Sequence, residues 1–323
     1  MDREKKLNKD TTARAFLLPL LTSLHSHPTP LAHFTQKFLP LIDRLTDLAM
    51  GPESPTTAKV WLVLADQCWS TLPAYCSNPP DLTAAFGREL SERLTKELYA
   101  NPALRPPILR ALRNVVESQT QAQPEGEQDG SENEERKKNG FLRGQAKNWL
   151  AVLFNVFASV ERGERAQVGG VIGVWAGVAG ENELAGAYRT VLGHLNASLT
   201  ALRTDPDRSH QKEKDSKTKT ALQMLDILFV LTPYLPAAQK AEVVGAVVRG
   251  GILDASEGAV QKVGTRLVGR LVDLGGESVL TAVGGVSGLL ERLVAVEGAG
   301  GGKVRTRAPL SAQLSVHRIC RTD

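Results

Sequence analysis

The fold class is decided by residues 81–113, which read DLTAAFGRELSERLTKELYANPALRPPILRALR. In the first half of this stretch an apolar side chain recurs at every fourth position: Leu82, Phe86, Leu90, Leu94 and Leu98. This spacing places the side chains on one face of an α-helix, whereas a strand would require a two-residue period. Asn101-Pro102 then interrupts the pattern, and a second helical segment follows from Leu104. The stretch therefore predicts two helices joined by a short turn.

The same helical spacing recurs over most of the chain. It is clear at 150–160, 222–229 and 260–274, and alternating runs long enough for a sheet are absent from the sequence. Proline and glycine pairs separate the segments and divide the chain into about twelve helices, and Gly275-Gly276 is expected to end one of them. Antiparallel pairs of such helices predict an all-α solenoid of the HEAT or armadillo type. A compact helical bundle is the alternative.

Three segments lack the apolar residues that a core requires. The acidic segment 119–139 and the segment 203–219 are predicted to be disordered, because they bury nothing that would offset the entropy lost on ordering. Residues 298–323 form a Gly-rich and basic tail. The predicted organisation is therefore N-terminal helical repeats at 1–118 and C-terminal helical repeats at 140–297, the latter interrupted by the second segment.

Composition excludes several classes of protein. Of the 323 residues, 42% are hydrophobic and 23% are charged, as in ordinary folded domains, and no run reaches the roughly 18 apolar residues of a membrane span. The first residues are charged, so no signal peptide is expected, and three cysteines indicate a reducing compartment. The net charge of +4 is carried by residues 303–323. Any nucleic-acid contact must therefore come from local basic patches.

The residues that could support catalysis, a metal or a cofactor do not form a recognisable site. The glycine run at 298–303 lacks the first glycine and the hydroxyl of a P-loop, and Cys68 and Cys76 lack the further ligands of a tetrahedral zinc site. Prolines interrupt the three histidines at 25–33, and nucleophile-elbow and zinc-protease motifs are absent from the sequence. We expect no enzyme activity, no cofactor and no small-molecule substrate.

The main candidate contact site is a basic stripe formed by Lys262, Arg266 and Arg270. The four-residue spacing places the three side chains on one helix face, beside an apolar face. A stripe of this kind on a solenoid can contact RNA phosphates or an acidic partner, and a solvated helix surface is the alternative. Aromatic residues are not interleaved with these bases, which argues against base stacking.

Two looser groups of basic residues could extend such a surface. They consist of Arg105, Arg110 and Arg113 in one group and of Arg143 and Lys147 in the other.

A glycine stripe lies farther along the chain, at 170, 173, 177 and 180. It predicts either close packing of the backbone between repeats or a hinge, because glycine weakens a helix by about 1 kcal/mol per residue.

The most distinctive motifs are QCWSTLPAYCSNPPDL at 67–82 and LRPPILRALR at 104–113. They resemble the ribosomal RNA-processing protein 12 family, whose conserved region has a Trp, a Leu-Pro, an aromatic-Cys, a Pro-x-Asp-Leu and then a Leu-Arg…Ala-Leu-Arg helix. AKNWLAVLFN at 146–155 is similar to the next helix of that family, and the residues around 260–268 are similar to a later repeat. The matching motifs follow the same order over about 57–275.

Within the first motif we expect structural roles. Trp69 and Leu72 are expected in the core, Pro73 and Pro79 would shape a turn, and Asp81 would cap the next helix.

The resemblance implies a non-enzymatic HEAT-repeat scaffold of the nucleus and nucleolus. Such a factor associates with the pre-ribosomal particle, meaning pre-rRNA and small-subunit proteins, and serves pre-rRNA processing, small-subunit maturation and nuclear export. Transport factors are further expected partners, and a membrane is not. The alternative is a HEAT-repeat nuclear transport receptor or another protein-binding adaptor. Members of the family are much longer than this chain.

Overall fold

A computed structural model describes residues 31–51, 55–76, 86, 89–121, 132–204, 211–248 and 257–282. All regular secondary structure in these ranges is helical, as the sequence predicts. The α-helices longer than three residues are α1 (Leu39–Met50), α2 (Pro55–Ser70), α3 (Leu72–Tyr75), α4 (Glu89–Ala100), α5 (Arg105–Gln121), α6 (Glu132–Ser159), α7 (Arg165–Val178), α8 (Glu181–Thr204), α9 (Gln211–Leu231), α10 (Ala237–Ala246) and α11 (Gly258–Ala282). A π-helical turn, Phe34–Phe38, precedes α1, and a 3₁₀ turn, Thr232–Tyr234, follows α9.

The chain divides into two compact units, Met1–Gly180 and Glu181–Asp323. The boundary lies between α7 and α8, whereas the sequence predicts it in the acidic segment 119–139. The first unit therefore contains α6 and α7 as well as the helices before the acidic segment.

In the first unit, helices that follow one another pack in pairs. These pairs are α1 with α2, α4 with α5, and α6 with α7, and α5 also contacts α2 and α7. Only residues 160–164 connect α6 to α7. A link this short spans less than about 20 Å, which is shorter than either helix at 1.5 Å per residue, so helices that pack along their length must run antiparallel.

Aromatic side chains fill the core of the first unit. One cluster has ring centroids 5.5–5.9 Å apart and joins the turn before α1 to α2 and α3: Phe34, Phe38, Trp69 and Tyr75. A second cluster consists of Phe86, Trp149 and Trp175, with centroid distances of 6.1 and 5.8 Å. Burial of large rings dominates the energetics of a core, so these clusters hold the helix pairs together.

The second unit is built from two further pairs. Helix α8 packs on α9, α10 packs on α11, and α9 also packs on α11. Lys214, near the start of α9, forms an ion pair of 2.8 Å with Glu257, which directly precedes α11. Tyr188 of α8 donates a hydrogen bond of 2.8 Å to Glu242 of α10. Burial and then the Glu242 carboxylate raise the pKa of Tyr188.

Part of the acidic segment is helical, where the sequence predicts disorder. Residues 119–121 end α5 and residues 132–139 begin α6, whereas 122–131 lie outside the described residues. Glu, Lys and Arg are good helix formers, and acidic residues in the first turn complement the helix dipole. The helix that carries Trp149 in the core can therefore extend backwards through charged residues.

The segment 203–219 also differs from its prediction. Helix α8 continues to Thr204 and α9 begins at Gln211, so only 205–210 lie outside the described residues. The ion pair between Lys214 and Glu257 ties this polar start of α9 to the residue before α11.

Helix α11 does not end at Gly275-Gly276, as predicted, but continues to Ala282. The buried side chain of Val279 explains the extension. Burying a valine contributes about 1.5–3 kcal/mol, which offsets the roughly 1 kcal/mol that each helical glycine costs.

Within the described ranges, none of the helices has a stretch both long and apolar enough to span a bilayer. The predicted tail at 298–323 lies outside the described residues.

Candidate functional site

The basic stripe lies together on α11, in the second unit. Lys262 and Arg266 are exposed and Arg270 is half-buried. The neighbouring Leu267 and Leu271 are fully buried. These leucines anchor one face of the helix in the core, and the stripe consequently lies at the surface.

An aromatic ring from another helix lies against the stripe. The guanidinium carbons of Arg266 and Arg270 are 5.1 and 4.4 Å from the ring centroid of Phe229, on α9. Both distances are within the roughly 6 Å that defines a cation–π contact. The sequence alone does not identify Phe229 as part of the site. This residue follows the apolar period of α9, and only the packing of α9 on α11 brings it close to the two arginines.

The charge of the stripe is not neutralised by a carboxylate that the structure describes. No described Asp or Glu forms an ion pair with any of its three members. Asp273, which is exposed, follows one turn after Arg270 on the same face. The Nε atom of Arg270 is buried and has no hydrogen-bond partner. The stripe therefore presents positive charge at the surface, with the acidic Asp273 at its C-terminal end.

The first of the two looser basic groups is held in ion pairs. Nη1 of Arg110 lies 2.9 Å from both carboxylate oxygens of Asp66, and Arg113 pairs with Glu117 at 2.7 Å. These contacts neutralise both charges locally. Each is exposed and is thus expected to contribute about 1 kcal/mol or less to stability.

Arg105, the third member of that group, is buried. Its Nε donates a hydrogen bond of 3.0 Å to the carbonyl oxygen of Leu98, and its Nη1 lies 2.7 Å from Glu164. The side chain therefore links the end of α4 to the residue before α7, and it is not available to an external ligand.

Arg143 and Lys147 differ from that group. Both are exposed on α6, one turn apart, and neither forms an ion pair with a described residue. They remain a second, smaller basic pair on the first unit.

A shallow groove of about 410 Å³ lies between α4 and α6. Trp149 and Val152 form its apolar lining, and Glu92 and Lys96 contribute one charge of each sign. Hydroxyl and amide side chains complete the lining: Ser91, Thr95, Gln145 and Asn148. This balanced composition does not select a class of ligand.

The two cysteines considered as zinc ligands lie in the core. Cys68 and Cys76 are both buried, and burial raises the pKa of both thiols, that of Cys68 to about 12. A thiol is a weak nucleophile and a weak metal ligand in its protonated form. Over the described ranges, no three His, Cys, Asp or Glu side chains form a group that could hold a metal ion.

The motif residues of the first unit have structural positions where they are described. Trp69 is 1% exposed and Leu72 is fully buried. Pro73 lies in the first turn of α3, and its carbonyl accepts a hydrogen bond from the Cys76 amide. Pro79 and the expected cap Asp81 lie outside the described residues.

Comparison with known proteins connects these helix pairs to one family. Residues 2–160 match the family described as "Ribosomal RNA-processing protein 12, HEAT repeats". Over this region the chain is similar to the ribosomal RNA-processing protein 12 family. The matched region includes the motifs at 67–82, 104–113 and 146–155, so the HEAT-type pairs that the sequence predicts are those of this family.

Individual members of the family are similar to between 45% and 86% of the chain. A Schizosaccharomyces pombe protein assigned to ribosomal RNA-processing protein 12 is 31% identical over 242 residues, which are 71% of this chain and 20% of that protein. Ribosomal RNA-processing protein 12 of Saccharomyces cerevisiae is 27% identical over 295 residues, or 86% of this chain and 23% of the yeast protein. An RRP12-like protein of Homo sapiens is 32% identical over 147 residues, which cover 45% of this chain and 10% of the human protein. The chain thus spans about a fifth of the length of its yeast relatives.

Proposed function

We propose that the chain is an RNA-contacting scaffold of ribosome biogenesis, and that the basic stripe is its phosphate-binding surface. The relatives are named for ribosomal RNA processing, which makes ribosomal RNA precursors the expected ligand. The observation that carries the proposal is the exposure of the stripe's positive charge, which no described carboxylate neutralises. Arg105, Arg110 and Arg113, in contrast, are engaged within the protein.

The mechanism is electrostatic. Lysine and arginine side chains that contact phosphates displace condensed counterions, so affinity falls as salt rises, with a slope of about 0.7 per contact on a single strand. Three contacts on one helix face would fix the orientation of an RNA strand without reading its sequence. Such binding requires no catalytic step, and the proposed function is correspondingly non-enzymatic.

The cellular role follows from the family. The proposed partners are pre-rRNA and small-subunit proteins within a pre-ribosomal particle, in the nucleolus and nucleus. The proposed stages are pre-rRNA processing, small-subunit maturation and export, the last of which would also involve transport factors. A scaffold made of helix pairs suits these stages, because each pair can present an outer face to a different partner.

Charge reversal tests the proposal. Replacing all three residues of the basic stripe by Glu is expected to abolish most binding to an oligouridylate of about 12 nucleotides, a length within the range of single-strand site sizes. The slope of log affinity against log salt should fall by about 1.4–2, since roughly 0.7 is lost for each phosphate and the three residues would contact two or three phosphates. The measurement is fluorescence anisotropy at several salt concentrations.

The matched control changes the same amount of charge elsewhere. Lys59, Lys96 and Lys212 are exposed, and reversing all three to Glu should leave most of the binding intact. Equal losses in the two triple variants would mean that total charge, and not the stripe, controls binding. Unchanged binding in the stripe variant would remove the site. Capture of the same protein partners before and after nuclease digestion would instead support the adaptor alternative.

A further inference from the structure

We infer that Arg266, Arg270 and Phe229 form a single clamp for one phosphate group. This inference rests on the proposed function and deepens it, because it assigns a separate role to each of these three residues. Phe229 would be a positioning residue, and the two arginines would make the contact. We call these three residues the arginine clamp.

The geometry of the arginine clamp brings two positive charges together. One guanidinium carbon is 5.1 Å and the other 4.4 Å from the same ring centroid. The two carbons are therefore no farther apart than the sum of these distances, which is close to the Debye length of about 10 Å at 0.1 M salt. The repulsion between the charges is thus only partly screened, and an anion attracted by both would relieve it.

The ring also reduces the cost of binding. A free arginine side chain has many rotamers, and holding it against a ligand loses that freedom. Stacking on the ring of Phe229 restricts both side chains before a ligand arrives, so less entropy is lost when a phosphate binds. In addition, the planar guanidinium can donate two parallel hydrogen bonds to phosphate oxygens, which a lysine ammonium cannot do.

The nitrogen atoms of Arg270 have different environments. Its Nε is buried without a hydrogen-bond partner, and it is the only nitrogen of this side chain in that condition. Because this nitrogen is buried, it is not accessible to a ligand. The terminal nitrogens are the donors with which we expect Arg270 to contact a phosphate.

The residues on either side of the arginine clamp define the direction of the bound strand. Lys262 lies one turn before Arg266, and the exposed Asp273 lies one turn after Arg270. One turn of helix corresponds to about 5.4 Å. A phosphate beside Asp273 would be repelled, whereas one beside Lys262 would be attracted, so the strand should continue from the clamp towards Lys262.

Substitution of Phe229 distinguishes the contribution of the ring to RNA binding from the contribution of the charges. Phe229→Leu keeps every charge of the stripe but removes the aromatic face, and it should weaken oligouridylate binding roughly five- to tenfold through lost preorganisation. The salt slope should stay that of the wild-type chain, because the number of phosphate contacts is unchanged. Phe229→Trp retains an aromatic face and should bind within about twofold of wild type. Thermal unfolding followed by circular dichroism verifies that each variant is folded.

A matched control exists in the first unit. Arg165 lies over Phe157 at 5.5 Å, so Phe157→Leu removes a ring under one arginine that is not part of the stripe. This variant should bind the oligouridylate as the wild-type chain does. If Phe157→Leu and Phe229→Leu weaken binding equally, or if Phe229→Leu has no effect, the clamp is wrong.

Failure of the clamp can be distinguished from failure of the proposed function. If charge reversal of the basic stripe abolishes binding but Phe229→Leu does not change it, the stripe binds RNA without a clamp. If neither change affects binding, both proposals are wrong. A loss in Phe229→Leu that Phe229→Trp does not restore would also overturn the role of the ring.

Discussion

Replacing Arg105 tests whether this residue is a structural link or a ligand contact. Arg105 is the first residue of α5 and is 9% exposed. Its Nε donates to the carbonyl oxygen of Leu98 in α4, and its Nη1 pairs with Glu164, which directly precedes α7. Arg105→Met keeps the length of the apolar stem and removes both contacts at once.

The expected loss of stability has two parts. The Leu98 carbonyl belongs to the last turn of α4, where it has no partner within the helix, and leaving it buried and unsatisfied costs about 1–3 kcal/mol. The Glu164 side chain is 43% exposed and can return to water, so the ion pair itself contributes only about 1 kcal/mol or less. The total is about 1–4 kcal/mol. For a unit of this size each kcal/mol lowers the melting temperature by about 2–4 °C.

The assay is urea unfolding followed by helical circular dichroism, combined with oligouridylate binding. Arg105→Met should unfold at lower urea concentration and, while folded, should bind RNA as the wild-type chain does. The control Glu164→Gln loses only the charged part of the ion pair and should be destabilised by less than about 1 kcal/mol. The reasoning would be refuted if Arg105→Met had wild-type stability but weaker RNA binding.

Four further results are expected. A double-mutant cycle on Arg110→Ala and Asp66→Ala, read by urea unfolding, should give a coupling energy of about 0.2–1 kcal/mol, and a clearly larger value would contradict an exposed pair. Gly170→Ala should stabilise the first unit by up to about 1 kcal/mol, because a Cβ there would meet only an Arg113 nitrogen at 3.9 Å, and a lower melting temperature would contradict this. Cys68, whose pKa burial raises to about 12, should resist alkylation at pH 8.5 until urea unfolds the chain, as measured by peptide mass mapping. The pKa of the Cys68 thiol is near 9.0 in the unfolded chain and about 12 in the folded chain, so the unfolded chain loses this proton first. The free energy of unfolding should therefore decrease as pH rises above about 9.

The helical class and the core could be predicted because they depend on local periodicity. Leu90, Leu94 and Leu98 recur at a helical spacing, and all three are buried in α4. Burial of an apolar face provides most of the stability of a helix in a protein, so the period of that face is a strong signal. Trp69 and Leu72, which the motif at 67–82 leads us to expect in the core, are also buried.

Helix ends were harder to predict, because composition does not show which apolar residue sustains a helix. The charged segments 132–139 and 211–219 contain no apolar residue, yet they continue helices that are anchored farther along. Gly275 would end an isolated helix, but the buried Val279 lies beyond it in α11.

Close packing of the backbone does not explain Gly170. No backbone atom lies close to the position that a Cβ would take at this residue.

The candidate site could be predicted only in part. The spacing of Lys262, Arg266 and Arg270 is visible in the sequence, and one helix face carries all three. The ring beneath them is not visible, because Phe229 belongs to a different helix and also fits the apolar period of its own helix. The prediction for Arg105 was wrong in the opposite sense. In the sequence this residue resembles an exposed base that could contact a ligand, whereas the packing of α4 on α5 buries it.

The most direct test of the central claim is sedimentation of the tagged chain in a lysate gradient. The wild-type chain is expected to migrate with small-subunit precursor particles and to return to the light fractions after nuclease treatment. The variant with the basic stripe changed to Glu should remain in the light fractions throughout. A wild-type chain that never leaves the light fractions, or one whose migration is unchanged by nuclease, would contradict an RNA-contacting scaffold.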